Sequence, residues 1–219
     1  MKFLVSKITR TNLDKLISKY ETTEKVLEIG SWGKPSYVRY FPNRVGVDIR
    51  KGENVDVVAS VYDLPFGEKE FDMILCISVL EHLEDPPIAI EEMNRVLKIG
   101  GKIIVSVPFM FPIHEAPNDY WRFTKFGLKK LFSSGWEVEK IVAETSGQEL
   151  FAVLLQRFAY QTKLKMNKIT KAFIFIIARL IQRMPNMIKT VFGDITKKTI
   201  EPDAFTSGFF LVAKRSPSS

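Results

Sequence analysis

Short apolar runs, each closed by a glycine, a proline or an acidic residue, recur along this chain. Lys25–Ile29 (KVLEI) stops at Gly30, and Arg44–Ile49 (RVGVDI) carries Asp48 near its end. Val55–Ala59 (VDVVA) is a third run, and Phe71–Val79 (FDMILCISV) is the longest and most apolar. Runs of this length and near-continuous apolar character predict strands covered on both faces, as in parallel sheets. After Pro86-Pro87, apolar residues at Ile88, Ile90, Met93, Val96 and Leu97 predict a helix, with Gly100-Gly101 marking its end. Lys102–Val107 is the next predicted strand, closed by Pro108. A helix over Thr124–Phe132 and strands at Trp136–Ala143 and Thr206–Ala213 complete the series. The opening segment to about Tyr20 has helical spacing at Leu4, Ile8, Leu13, Leu16 and Ile17.

Strands alternating with helices or short connectors predict an α/β fold. The expected architecture is a Rossmann-like, doubly wound, mostly parallel seven-stranded sheet with helices on both faces. Strand order does not follow from the pattern. One domain is expected over residues 1–219, with a helical start (1–20), a ligand-binding core (21–149), a basic helical insertion (150–193) and a final strand and tail (194–219).

Composition narrows the classes. The 219 residues carry no low-complexity stretch and suffice for one sizeable core. A single cysteine, Cys76, excludes an intramolecular disulfide and predicts a reducing, cytoplasmic setting. The two histidines stand far apart in sequence and no Cys/His cluster exists, so no metal site is expected. The N-terminus lacks the long apolar core of a signal peptide. The formal charge of +7 is concentrated: Leu150–Gly193 holds eight Lys/Arg and no Asp or Glu, leaving 24 basic against 25 acidic residues elsewhere. No nucleic-acid footprint is expected in the core.

The insertion looks helical. Its apolar run ends at Arg179, short of the roughly 20 residues that a membrane span needs. On a helical wheel Lys168, Lys171, Arg179, Gln182 and Arg183 share one face, opposite Phe173, Ile174, Ile177, Leu180, Ile181 and Met184. Two readings stay open. One is an interfacial helix over 168–184 resting on the inner face of an anionic membrane. The other is a helix that covers the sheet or a dimer interface and keeps its basic face wet.

The candidate chemistry begins at the first strand-to-helix turn, Leu27-Glu28-Ile29-Gly30-Ser31-Trp32-Gly33. A nucleotide-like ligand sits over such a turn because glycine lets backbone approach closely. Asp48, twenty residues after Glu28, ends the second strand, where a carboxylate can accept both ribose hydroxyls. Further along come Asp63-Leu64-Pro65-Phe66, Phe71-Asp72, Ser78-Val79-Leu80-Glu81-His82-Leu83, Glu91-Glu92-Met93-Asn94-Arg95-Val96-Leu97-Lys98 and Gly100-Gly101-Lys102.

In order and spacing these motifs resemble the class I S-adenosylmethionine-dependent methyltransferases of the small-molecule group often called type 11. The resemblance covers about Val26 to Phe111. It implies S-adenosylmethionine as cofactor and assigns roles at matching positions. Glu28, Gly30 and Ser31 would face the amino-acid part of the cofactor. Asp48 would hold the ribose with Ile49 beside the adenine, which Val61 and Tyr62 would border. Ile77, Ser78 and Val79 would lie near the sulfonium, and His82 would close the pocket. The chain departs from the family pattern at Trp32 and Lys34, which replace later glycines of the turn, and at Ser60, where many relatives have an acid.

A second informative segment, Pro108–Thr124, follows the fifth strand and interleaves His, Glu, Asp, Tyr and Arg with proline and aromatics. Its His114…Asp119-Tyr120-Trp121-Arg122-Phe123-Thr124 run is similar to one in a family subset associated with glycan and cell-envelope pathways. As an acceptor-site loop it offers His114 and Asp119 as general bases and Tyr120 and Arg122 as substrate contacts. As a purely structural loop, Asp119 would pair with Arg122. The expected function is methyl transfer to a small-molecule or lipid- or glycan-linked acceptor, with O-methylation preferred. The alternative is a degenerate methyltransferase fold used for binding or membrane association.

Overall fold

In a computed structural model, residues 7–33, 37–162, 167–184, 188 and 190–217 are described. Lys34 and the start of the N-terminal segment, including Leu4, lie outside them. Seven strands form one sheet: β1 (Val26–Ile29), β2 (Arg44–Asp48), β3 (Val57–Val58), β4 (Phe71–Ile77), β5 (Leu97–Pro108), β6 (Trp136–Ala143) and β9 (Gly208–Arg215). Their order is β3-β2-β1-β4-β5-β9-β6. β1 to β5 pair in parallel, and β9 runs antiparallel to both its neighbours. A separate two-stranded hairpin, β7 (Phe192–Asp194) with β8 (Thr199–Ile200), precedes β9.

The sheet is buried on both faces because its strands carry apolar residues at nearly every position. On β4, Ile74 and Cys76 enter the core on one face, with Met93, Val96 and Phe132. Met73, Leu75 and Ile77 enter the core on the other, with Leu13, Ile17, Tyr37 and Phe41. Cys76 is thus a small core side chain. Five α-helices flank the sheet: α1 (Ile8–Ile17), α2 (Pro86–Val96), α3 (Lys125–Leu131), α4 (Gly147–Gln161) and α5 (Lys168–Arg183). Asp85 caps α2, with prolines filling the first turn where no N–H is needed. Ser146 and Glu149 form a capping box on α4.

Three boundaries differ from the pattern-based expectation. α2 stops at Val96, and β5 begins at Leu97 and runs straight through Gly100-Gly101. Gly100 takes a left-handed φ of 80° inside the strand, so the glycine pair makes an irregular strand entry and not a helix cap. β3 shrinks to two residues at the sheet edge. The insertion forms a helix pair, and its amphipathic reading is corrected: Arg179 is 5% exposed and donates to Gln182. Phe175 and Ala178 are buried beside it, whereas Ile169, Phe173, Ile176 and Leu180 face outward. The packed face is thus centred on Phe175, Ala178 and Arg179, so the basic residues do not form one wet stripe. Among the described residues no helix is long and apolar enough to cross a membrane.

The motif residues Glu92 and Arg95 do structural work. Leu64 N–H donates to Glu92 Oε1 at 2.8 Å. Arg95 donates to the carbonyls of Phe66 and Leu64 and forks onto both Glu92 oxygens at 2.7 Å. This clamp ties the Leu64-Pro65-Phe66 loop, and Val61 ahead of it, to α2. Arg95→Ala would strip the Glu92 carboxylate of its cation, leaving it the Leu64 N–H alone, and would remove this donor from two carbonyls. Its expected cost is about 1–3 kcal/mol, read as a lower urea midpoint at unchanged slope.

Candidate active site: an adenosyl cleft and an inner pocket

Every candidate residue that reaches the site does so from the carboxyl edge of the sheet, where α/β folds place ligands. Ile29 lies opposite Val47, so Gly30 follows β1 directly beside Asp48 at the end of β2. Gly30 takes φ 72°, which a side chain would oppose, and donates its N–H to Val47 O at 2.8 Å. The Asp48 carboxylate is held in place by the N–H groups of Trp32 (3.2 Å) and Arg50 (2.9 Å).

Between these strand ends lies a cleft of about 510 Å³, lined by Ile29, Gly30, Val47, Asp48, Ile49, Ala59, Val61, Ser78, Val79, His82 and Leu83, among others. Trp32 does not plug it. Its ring packs on Gly52, where a Cβ would come within 2.7 Å of Trp32 Cδ1, and the Arg50 guanidinium stacks 3.9 Å from the ring centre. These residues fit an adenosyl group: a volume within the small-ligand range, apolar walls at Ile49, Val61 and Leu83, and a fixed carboxylate for ribose hydroxyls.

Some sequence-assigned cofactor residues do not line this cleft. Glu28 points beneath the turn, where its carboxylate meets Arg44 Nε at 3.3 Å, both side chains nearly excluded from solvent. A glutamate in the middle of a buried strand takes the nearest cation. Ser31 is fully buried and also lies off the lining. Tyr62 turns outward and accepts the Asp85 N–H at its hydroxyl. Ile77 faces the neighbouring pocket described next. Ser60 accepts the Tyr62 N–H and caps its turn.

The chain is also similar in sequence to known proteins. The family model described as "Methyltransferase domain" matches residues 36–105. An uncharacterized protein of Methanocaldococcus jannaschii is 43% identical over 112 residues, 45% of this chain and 54% of that one. The ubiquinone/menaquinone biosynthesis C-methyltransferase UbiE of Psychromonas ingrahamii is 31% identical over 107 residues, 45% of this chain and 42% of that one. Over residues 36–105, about a third of its length, the chain carries a methyltransferase domain.

The chain spans about half the length of the curated relatives it matches. Its fold is also similar to that of a Burkholderia thailandensis 1,6-didemethyltoxoflavin-N1-methyltransferase solved with S-adenosylhomocysteine. The TM-score is 0.59 at 14% identity, covering 96% of this chain and 79% of that one. The [4+2]-cyclase SpnF gives the same TM-score at 16% identity, covering 95% of this chain and 82% of that one. At these identities the likeness concerns fold alone.

An inner pocket of about 180 Å³ adjoins the cleft. Ser78, His82, Lys7, Arg10 and Glu115 line both spaces. Ser78 stands at the junction in a left-handed conformation (φ 50°), unusual for serine, and donates its N–H to Ser106 O at 2.8 Å. α1 forms one wall through Arg10 and Leu13, and the loop after β5 forms another through Phe111 and His114.

The inner pocket contains residues that sequence reasoning missed. Glu144, just past the end of β6, accepts a short hydrogen bond from Ser106 Oγ. Loss of hydration pushes its carboxyl up to about 7. An acid immediately after a predicted strand was the available signal. Glu81 stands inside the Ser78–Leu83 motif, where the sequence reading assigns roles to Ser78, Val79 and His82 but none to Glu81. Arg157 comes from α4, inside the insertion, and nothing local in the sequence directs it here.

The loop after β5 needs two corrections. The Asp119 side chain is 2% exposed, and Arg122 forks onto both its oxygens at 2.7 and 2.6 Å. The Arg122 hydrogen bonds hold its carboxyl down at about 2, so Asp119 is not a general base. Arg122 also donates to the carbonyls of Phe111, Pro112 and Trp121, so it is a latch that shapes the loop and not an exposed substrate contact. Tyr120 is exposed, its hydroxyl donating to Asn118. Asp119 instead faces His114, accepting its backbone N–H at 2.9 Å and standing 3.4 Å from Nδ1.

Two substitutions separate these roles. Asp48→Ala is expected to weaken S-adenosylhomocysteine binding by about 10- to 100-fold in calorimetry, consistent with losing a charge-assisted contact of about 1.5–3 kcal/mol. Asp119→Ala strands the partly buried Arg122. It is expected to cost about 3 kcal/mol in chemical denaturation while changing that affinity little.

Proposed function

We propose that this chain transfers the methyl group of S-adenosylmethionine to a nucleophile seated in the inner pocket, and that the nucleophile is a hydroxyl of a small anionic molecule. The observation that carries this reading is the shared wall: the adenosyl cleft and a pocket holding a carboxylate poised near neutrality meet at Ser78 and His82. S-adenosylmethionine supplies an activated methyl group. The protein's own residues supply alignment, water exclusion and proton removal.

Asp48 and Gly30 would hold and orient the adenosyl half. Glu144 would accept the acceptor's hydroxyl proton, since its carboxyl, lifted to about 7, combines basicity with an appreciable ionised fraction. His114 is the less suited base, because its Nε2 faces the buried Glu81 at 3.7 Å. Lys7, Arg10 and Arg157 bring positive charge to the pocket and favour an acceptor bearing a carboxylate or phosphate. The pocket volume admits the reacting end of such a molecule and leaves the remainder outside.

C-methylation is the second reading. The UbiE of Psychromonas ingrahamii carries that activity in its name, and a demethylmenaquinone methyltransferase of Staphylococcus carnosus is 30% identical over 116 residues. Removal of a proton from an acidic carbon would use Glu144 in the same way. The test is transfer of isotopically labelled methyl from S-adenosylmethionine to a panel of hydroxylated carboxylates, phosphates and quinol precursors. Carbon chemical shifts of the product separate O–CH₃ from C–CH₃. Label transfer to none of them, with no cofactor binding, would favour a non-catalytic role.

Glu144 gives this reading a signed pH dependence. Turnover is expected to rise as pH passes about 7, where the carboxyl ionises, and Glu144→Gln should abolish that limb with a loss of about 10²- to 10⁴-fold. Stability runs the other way. A carboxyl raised above its unfolded value of 4.5 stabilises the fold most at low pH, and the advantage is lost between about 4.5 and 7. Above pH 7, Glu144→Gln is therefore expected to be more stable than the parent, by at most about 3 kcal/mol, in parallel urea titrations.

A further inference from the structure

The chain's two histidines, distant in sequence, meet in space. Their rings lie 4.9 Å apart in an edge-on arrangement, because the loop after β5 folds back onto the Leu80–His82 turn. Tyr120 and Trp121 donate their N–H groups to the Glu81 carbonyl and hold that loop in place. The sequence, in which the two histidines stand 32 positions apart, expects no metal site and gives no sign of this meeting.

The side chain of Glu81 is 0% exposed, and neither carboxylate oxygen has a hydrogen-bond donor among the described residues. Its Oε1 faces His82 Nε2 at 3.8 Å and His114 Nε2 at 3.7 Å. Arg122, a cation that feels the Glu81 charge, spends its hydrogen bonds on Asp119 and three carbonyls, and Lys7, Arg10 and Arg157 of the same pocket make no ion pair with Glu81 among the described residues.

The far side of each ring sets its tautomer. His82 Nδ1 stands 2.6 Å from the Asn118 carbonyl, which can only accept, so Nδ1 carries the proton. His114 Nδ1 stands 3.4 Å from an Asp119 carboxylate oxygen without completing a hydrogen bond, and a proton on Nδ1 would face that oxygen. Both Nε2 atoms then present lone pairs toward a buried carboxylate. Three electron-rich groups converge with no donor between them, an arrangement that costs free energy unless a cation sits among them. A histidine whose second nitrogen donates to a carbonyl or carboxylate is also the usual support of a metal ligand.

We propose that Glu81, His82 and His114 bind a divalent first-row transition ion at the wall between the two pockets. All the ligand atoms lie within 4.8 Å of one another. Tetrahedral ligands at about 2.1 Å from an ion stand about 3.4 Å apart, so both nitrogen–oxygen separations need close by only a few tenths of an ångström. Two imidazoles and one carboxylate suit Zn²⁺, Co²⁺ or Mn²⁺ better than Mg²⁺ or Ca²⁺, which favour all-oxygen sites. Three protein ligands leave a position open toward the inner pocket. There an oxygen of the acceptor would bind and lose its proton more readily. That last role rests on the methyl-transfer reading, whereas occupancy of the site does not.

The test uses the tag-free full-length chain without cofactor, so that only two imidazole signals appear in the histidine region of its NMR spectrum. Titration with Zn²⁺ is expected to shift both signals together and to saturate at one equivalent, while the same concentration of Mg²⁺ leaves them in place. Asp119→Asn, a change behind the ligand, should weaken zinc binding by about 10- to 100-fold. Glu81→Gln should weaken it at least as much. If Glu81→Gln fails to fold, the titration of the unaltered chain decides alone. Response of neither signal, of one signal only, or saturation only in large excess of zinc would overturn the proposal. Cofactor calorimetry on the same sample reports separately on the methyl-transfer reading.

Discussion

Parallel pairing of β1 with β2 is the constraint on which the rest of this molecule depends. Their register sets Ile29 opposite Val47, so a glycine turn and an aspartate leave the sheet side by side. The turn stays open because Gly30 accepts a left-handed backbone. The aspartate stays fixed because two backbone N–H groups hold it from below. A slip of one residue would turn Asp48 to the other face of the sheet and divide the cleft.

The same edge supplies the second space. Ser78 follows β4, β5 ends at Pro108 and Glu144 follows β6, while Ser207 leads into β9 at the same edge. Burial has opposite consequences for the carboxylates gathered at this edge. Glu28 is neutralised by Arg44 and belongs to the framework. Asp119 is held ionised by Arg122 and shapes a loop. Glu144 accepts from a hydroxyl and forms no ion pair among the described residues, so desolvation outweighs the pull of Arg10 and lifts it toward neutrality. Glu81 has two imidazoles and no donor. Residues of one chemical class thus divide into framework and chemistry according to their partners.

Much of the sheet was legible because two-sided burial writes near-continuous apolar runs into a sequence, and the span Trp136–Ala143 coincides with β6. Gly30 and Asp48 stand out in the sequence because one follows β1 directly and the other closes β2. The long-range partners were not. Nothing local says that Glu28 will meet Arg44, that Asp119 will spend both oxygens on Arg122, or that His82 and His114 will touch. Helical phase was also misread on α5. The wheel grouped Arg179 with exposed cations, but packing against α4 buried it beside Phe175 and Ala178, with Gln182 as partner. Hydrophobicity alone does not choose a helix's buried face when apolar residues occupy most of its circumference.

The most direct measurement is a crystal structure of the protein grown with S-adenosylhomocysteine. The account requires adenine density between Ile49 and Val61, ribose hydroxyls on the Asp48 carboxylate, and the sulfur directed toward Ser78 and the inner pocket. Ligand density elsewhere, or a cleft closed by Trp32 with no ligand at saturating concentration, would contradict it.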